Sequence, residues 1–482
     1  MTARRSPLLT FLVTSLALFM VSLDNLVVTT ALPVIRRDLG ASLAQLEWIV
    51  NAYTLTFAVL LLTGAALGDR FGRKRLFVIG ISIFTAGSAM AALSPTGDAL
   101  VIARAVQGVG AAIVTPLTLT LLSAAVSPER RGLALGAWGG ISGLAIAIGP
   151  LVGGAIVDGL DWHWIFWLNV PIGLVVIPLA LALLTESYGP DGRLDLPGLG
   201  LVSGGLFALV WALIHGNGDG WTSGPVLAAF VAAAVLLPAF LIRERTATFP
   251  MLPLRFFRSR AFSVANAVSF LMSFGVFGSI FLMAQFFQLV QGYSPFEAGL
   301  RTLPWTGMPI IVAPIAGAMS DRIGSRALLV AGMGLMAAGL GWFAAMATPT
   351  VAYLTLVPAL VIAGTGMSLF FAPTANLVLS SVRREEEGLA SGANNTIREV
   401  GGVFGVAILA SVFSATGGYA SPAAFVDGLT PAVWVGAAVA GLGALVALAI
   451  PSGRRGAIEL ELPRLPQAGE PALAFERVGP EH

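Results

Sequence analysis

Four charged residues stand well inside apolar runs that should not carry them. Asp24, in Met20-Val21-Ser22-Leu23-Asp24-Asn25, lies deep in the run 8–32. A carboxylate at the centre of a membrane helix costs about 2.5–3.5 kcal/mol. Such a residue faces a cavity or a partner and marks a functional site. Asp24 is the first candidate for a proton-exchanging group; the other reading is a hydrogen bond to a neighbouring helix. Arg104 is the only strong charge in the run 100–122, and Gln107 and Gly108 follow it. It could pair with an acid and pass on its protonation, or it could snorkel from the nearby end of the run. Glu399 follows Arg398 in the run 389–413, after Asn394 and Asn395. A structural ion pair explains it equally well, and it is the candidate for a second titrating group. Glu47, Glu297 and Arg301 lie near the ends of runs, where solvated anchoring is expected.

These residues need spans to hold them. The 482-residue chain is 56% hydrophobic and only 11% charged, against roughly a quarter charged for soluble domains. Its mean hydropathy is +0.87. This composition implies an all-α polytopic membrane protein, and the 57 glycines suit close helix packing in lipid. The absence of cysteine excludes disulfides and thiol chemistry. The three histidines, His163, His215 and His482, fall outside the expected spans, so no metal or haem site is expected. Nucleic acid is a poor partner for a net charge of +2 spread between spans. The single lysine, Lys74, is followed by Arg75, so the chain has no Walker A motif. Energy would have to come from an ion gradient, with no cofactor. No enzymatic function is expected.

Apolar runs of bilayer length fall at 8–32, 46–67, 76–93, 100–122, 133–157, 165–184, 196–214, 226–242, 262–290, 298–319, 327–346, 353–379, 389–413 and 432–450, which makes fourteen spans. Arginines cluster in alternate loops, with Arg36 and Arg37 as the exception. By the positive-inside rule both termini are cytoplasmic, as expected for a multi-pass protein of the bacterial inner membrane. The first span is about as long as a full crossing, and no signal-peptide cleavage pattern accompanies it.

One charged cluster occurs twice. Leu67-Gly68-Asp69-Arg70-Phe71-Gly72-Arg73-Lys74-Arg75 is echoed 252 residues later by Asp321-Arg322-Ile323-Gly324. Gly108-Val109-Gly110 and Gly132-Leu133-Ala134-Leu135-Gly136 recur at an offset of 256. Near-constant offsets imply two homologous six-span bundles, as in secondary transporters. The expected units are 1–190, an inserted span pair at 191–245, a second bundle at 246–452 and a disordered tail at 453–482. Asp69, Arg70, Gly72, Arg73, Asp321 and Arg322 would then build tight hairpins that act as hinges. Asp69 could accept bonds from a helix N-terminus or pair with an arginine. Gly149-Pro150-Leu151-Val152-Gly153-Gly154 joins a kinking proline to close-packing glycines.

Together these stretches carry a resemblance. Asp69 to Arg75 is similar to motif A of the major facilitator superfamily. Arg104 with Gln107-Gly108 resembles its motif B, and Gly149-Pro150-x-x-Gly153-Gly154 resembles motif C, the mark of its antiporters. Leu23-Asp24-x-x-Val27-Val28-x-x-Ala31-Leu32-Pro33 and Trp162-x-Trp164-Ile165-Phe166-x-x-Asn169-Val170-Pro171 resemble stretches of the fourteen-span drug:proton antiporters. The chain departs at Ala65, Leu26 and Thr29, where those families usually carry glycine, threonine and asparagine. The resemblance implies proton-driven export of a small lipophilic or cationic compound by a monomer that uses alternating access. A facilitator or proton-coupled transporter of a metabolite in the same fold is the alternative. Asp24, Arg104 and Glu399 would couple protons. Cavity groups would be drawn from Asn25, Asn51, Tyr53, Gln107, Trp138, Phe274, Gln285, Trp305, Asn376 and Asn394.

Overall fold

In a bilayer core no water satisfies the backbone, so each crossing must bond within itself. The computed structural model obeys this and describes residues 7–126, 131–188, 195–248, 250–383 and 386–451, with no strand among them. The first bundle contains α1 (Pro7–Leu39), α2 (Leu43–Phe71), α3 (Arg73–Ala92), α4 (Gly97–Ala125), α5 (Arg131–Gly159), the short α6 (Trp164–Trp167) and α7 (Asn169–Leu183). Next come α8 (Leu196–Asp219) and α9 (Gly224–Thr246), packed on each other. The second bundle holds α10 (Arg260–Gln285), α11 (Pro295–Thr306), α12 (Met308–Ile323), α13 (Ser325–Met346), α14 (Tyr353–Ser368), α15 (Phe371–Ser380), α16 (Glu387–Thr416) and α17 (Pro422–Ala447). Among the described residues 13 helical stretches are long and apolar enough to cross a membrane. The 29-residue α5 occupies the position of the remaining expected span.

Polar residues at the loops start the helices. Ser42 and Gln45 form a capping box at α2, and Ser294 and Glu297 form one at α11. Thr96 and Ser421 cap α4 and α17. Two span limits differ most from the hydropathy runs. The last span begins at Pro422, ten residues earlier than its apolar run, because Ser421 caps it and proline suits the first helical turn. The first continues past Pro33 to Leu39 and carries Arg36 and Arg37 in its final turn. The sixth, tenth and twelfth crossings are each interrupted, at Leu168, at Gly307 and at Leu369–Phe370. Such breaks leave no mark on a hydropathy run.

The hydrophobic interior is shared unevenly. One cluster is confined to the first bundle, with Val13 and Ala17 of α1, Phe77 and Phe84 of α3, and Leu117 of α4. The largest cluster runs from Val27, Leu32 and Ile35 of α1 into Phe281 and Phe287 and on to Phe413 and Phe425 of the second bundle. The bundles are therefore joined towards the end of the molecule that carries residues 36–43, 159–164 and 290–295. Bonds cross there as well. Gln288 Nε2 donates to Thr30 O at 2.8 Å, and Ser294 Oγ donates to Asp158 Oδ2 at 2.9 Å. Arg36 stacks on the Tyr419 ring at 3.5 Å. This gives the arginine that broke the loop-charge pattern a task at the joined end. Along one side α2 meets α16, and Leu206 and Val210 of α8 pack over that seam.

The two charged hairpins share one backbone device. Gly72, between α2 and α3, has φ +105°, and Gly324, between α12 and α13, has φ +84°. Each donates its N–H to the fourth residue back, at 3.0 Å and 3.1 Å. A side chain disfavours this backbone region by about 1–3 kcal/mol. At Gly72 a Cβ would also come within 2.9 Å of the Glu186 carboxyl, whereas Gly324 has open space. Gly72→Ala should therefore lower the unfolding temperature of the purified protein by more than Gly324→Ala does. Differential scanning fluorimetry in detergent checks the order.

Candidate functional site

Asp24 sits near the middle of α1, and the first bundle folds four other crossings around it. Its exposure is 2%, and that of Arg104 is 1%. Asp24 Oδ2 accepts a short bond from Arg104 Nη1. Asp24 Oδ1 accepts from Asn169 Nδ2 at 2.7 Å and from Gln107 Nε2 at 3.1 Å. Gln107 lies one turn after Arg104 on the same face of α4. Its Oε1 accepts from Arg104 Nη1 at 2.9 Å, while its Nε2 also donates to Ser88 Oγ on α3 at 2.7 Å. Arg104 Nε donates to Ile49 O of α2 at 3.1 Å, and the guanidinium lies over the Tyr53 ring at 4.3 Å. Tyr53 in turn donates to Val21 O on α1 at 3.2 Å.

This arrangement answers the cost of burying charge. Each ion taken out of water loses several kcal/mol, and the loss is recovered only when the pair is tight and its remaining valences are met. Here one carboxylate has three side-chain donors and the guanidinium has a carbonyl, an amide oxygen and two rings. The network is satisfied as it stands, and without the carboxylate's charge the arginine would be buried with no counter-charge.

The hairpin at Gly72 shows which partner Asp69 takes. Arg73 Nε donates to Asp69 Oδ1 at 2.8 Å. The acceptor at the N-terminus of α3 is instead Glu186, which takes Lys74 N at 2.8 Å and Arg75 N at 3.1 Å. Arg70 and Arg322 are exposed. The side chains of Asp321 and Trp138 lie outside the described residues.

The glycines of α5 face two ways. A Cβ at Gly149 would lie 2.8 Å from Leu26 Cβ, and one at Gly153 would lie 2.6 Å from Val27 O, both on α1. Gly154 lies against Pro295 and Phe296 of α11, and Gly299 of α11 lies back against Pro150. Backbones so close are possible only with small residues. The α5–α11 contact thus forms the second seam between bundles, near the joined end.

The other polar candidates disperse. Asn394 donates to Asn266 Oδ1 and Ser269 Oγ, tying α16 to α10, and Asn376 donates to Ser320 Oγ, tying α15 to α12. Gln285 accepts from the Tyr419 hydroxyl at 2.7 Å. Burial, and secondarily the Glu47 charge, hold the Tyr419 hydroxyl above its ordinary pKa despite Arg36 and the Gln285 bond, so it keeps its proton and donates. Phe274 and Trp305 are buried, and Asn25 is half-buried. Neither amide atom of Asn51 has a hydrogen-bond partner among the described residues. Glu399 Oε1 accepts from Arg398 at 3.1 Å, whereas its buried Oε2 has no such partner. Glu297 is the capping residue of α11, and Arg301 lies over the Tyr293 ring.

Glu47 corrects the expectation of a solvated anchor, for it is 3% exposed and its Oε2 has no hydrogen-bond partner among the described residues. A residue one turn from a helix start is still covered when neighbouring helices extend past it, as α1 does here. Two members of the network around Asp24 escaped the sequence reading: Asn169, which donates to Asp24, and Ser88, which accepts from Gln107. Asn169 had a signal, as the only amide in its apolar span and part of the Trp162 to Pro171 motif. Ser88 had none.

Two helical bundles of membrane-spanning length, the first built around a buried ion pair, define a polytopic membrane carrier. The chain belongs to the Major Facilitator Superfamily, whose sequence profile matches residues 14–406. It is 35% identical over 432 residues to the tetracenomycin C resistance and export protein of Streptomyces glaucescens, covering 89% of this chain and 80% of that one. It is 36% identical over 425 residues to the puromycin resistance protein of Streptomyces alboniger, covering 86% of this chain and 84% of that one. In fold it is similar to a bacterial homolog of the human lysosomal transporter Spinster in an inward-facing and unoccupied conformation. That likeness has a TM-score of 0.66 at 18% identity, over 93% of this chain and 97% of the other.

Removing one partner of a buried pair leaves an uncompensated charge and costs about 3–5 kcal/mol. Arg104→Met should destabilise the purified protein by about that much, and adding Asp24→Asn should restore most of the loss. Thermal unfolding of both variants checks this double-mutant comparison.

Proposed function

We propose that this chain exports small lipophilic or cationic compounds across the bacterial cytoplasmic membrane in exchange for protons. The observation that carries the reading is the buried Asp24–Arg104 pair with its satisfied ring of donors. A proton is the ligand such a pair can exchange with least movement, since protonating Asp24 removes the charge that holds Arg104. The resistance and export functions printed for the relatives support the cargo class.

In this mechanism the arginine-rich loops face the cytoplasm, with both termini inside, and the joined end faces outwards. The described state is then inward-facing. Asp24 takes a proton from outside and releases it inside, and cargo moves with the opposite charge state. Arg104 senses the change, and Gln107 and Asn169 orient the carboxylate. Glu399, buried with Oε1 paired to Arg398 and Oε2 without a hydrogen-bond partner among the described residues, is the second proton-coupling candidate. The α5–α11 and α2–α16 seams open and close as the bundles rock, and the Gly72 and Gly324 hairpins keep the paired helices rigid. Asn51, Gln285 and Asn25 are the cargo contacts. The chain works as a monomer and leaves its cargo chemically unchanged. The gradient suffices without a cofactor. One charge crossing 100 mV releases about 2.3 kcal/mol, equivalent to a roughly 40-fold concentration ratio.

Everted vesicles test the proposal. Asp24→Asn should reduce gradient-driven cargo accumulation to background. Gradient-driven accumulation persisting in that variant would overturn the role of Asp24. Wild-type transport indifferent to a pH gradient would favour a facilitator instead.

A further inference from the structure

A cleft of about 830 Å³ opens at the arginine-rich end of the molecule, between the last turn of α9 and the helical turn Leu254–Arg258. Arg245, Arg255 and Arg258 line it, and all three are exposed. Leu241, Leu254 and Phe257 supply an apolar wall. The wall continues along α9, where Leu241 and Ile242 are exposed.

The charges of this cleft are not balanced locally. Its one acid, Glu244, is buried and turned to the backbone, accepting from Leu252 N at 2.8 Å and Met251 N at 3.3 Å. Glu244 thus fixes the connection between α9 and the turn and so shapes the cleft floor. The neighbouring Arg243 is already paired with Asp195 at 3.1 Å. Arg255 is paired with Glu386, which stands just before α16. Arg245 and Arg258 have no ion pair among the described residues.

We propose that this cleft binds the headgroup of an anionic phospholipid. A phosphodiester would meet Arg245 and Arg258, and its first acyl carbons would follow Leu241 and Phe257 down α9. The apolar wall and the place at the membrane boundary select a lipid over a free phosphate. Basic pockets between helices at that depth are suited to acidic headgroups. Simple charge anchoring by the loop arginines would need neither the cleft nor its fixed floor. The lipid would bridge the α8–α9 pair to the second bundle, and through the shared Arg255 it would reach the Glu386 contact at α16.

The test uses delipidated full-length protein in neutral detergent, with affinity read from the lipid-dependent rise in unfolding temperature. Phosphatidylglycerol should raise it, while phosphatidylcholine and inorganic phosphate at equal concentration should not. The rise should shrink with added salt, because screening weakens exposed charge contacts. Each arginine near an anionic headgroup is worth about fivefold in affinity, so the double variant Arg245→Gln/Arg258→Gln should bind phosphatidylglycerol about 30-fold more weakly. The control Arg326→Gln, at the same end but outside the cleft, should bind like wild type. An undiminished response in the double variant, an equal loss in the control, or an equal rise with inorganic phosphate would each overturn the proposal.

Discussion

A carboxylate and a guanidinium held together out of water constrain everything around them. Asp24 is tolerable in the middle of α1 only because Arg104, Gln107 and Asn169 reach it from other helices. Those donors must arrive at the right depth, so α4 and α7 cannot slide relative to α1 without stranding a charge. The pair therefore fixes the register of the first bundle.

The second constraint is close approach. α5 can lie against both α1 and α11 because Gly149, Gly153 and Gly154 present no side chain to them. The same helix thus touches both the element that carries Asp24 and the second bundle. Leu26 and Val27, which rest on α5, lie within one turn of Asp24. Tightly packed backbone contacts therefore join the neighbourhood of the ion pair to the seam between bundles.

Much of this was legible in the sequence. Charge scarcity and run lengths expressed the membrane architecture, and the echo of Asp69 to Gly72 at Asp321 to Gly324 expressed the repeat, now matched by two glycines with positive φ. Asp24 and Arg104 each stood out as a charge in an apolar run. Their meeting could not be read, because spacing along the chain says nothing of distance between helices 80 residues apart. For the same reason Gln107 was expected beside cargo and lies in the ion-pair network. Glu47 was misjudged because burial near a span end depends on how far the neighbouring helices extend. The helix breaks at Leu168, Gly307 and Leu369 escaped because hydropathy averages over them.

The central claim is that the charge state of Asp24 sets which end of the molecule is open. The chain contains no cysteine, so spin labels can be placed at Leu160→Cys and Phe296→Cys, exposed positions on opposite bundles at the joined end. Pulsed electron resonance in nanodiscs between about pH 5 and pH 9 would follow the distance across the outer seam. The account predicts two distance populations whose proportions change with pH in the otherwise wild-type protein and do not change in Asp24→Asn. A pH response in Asp24→Asn equal to that of the parent would contradict it.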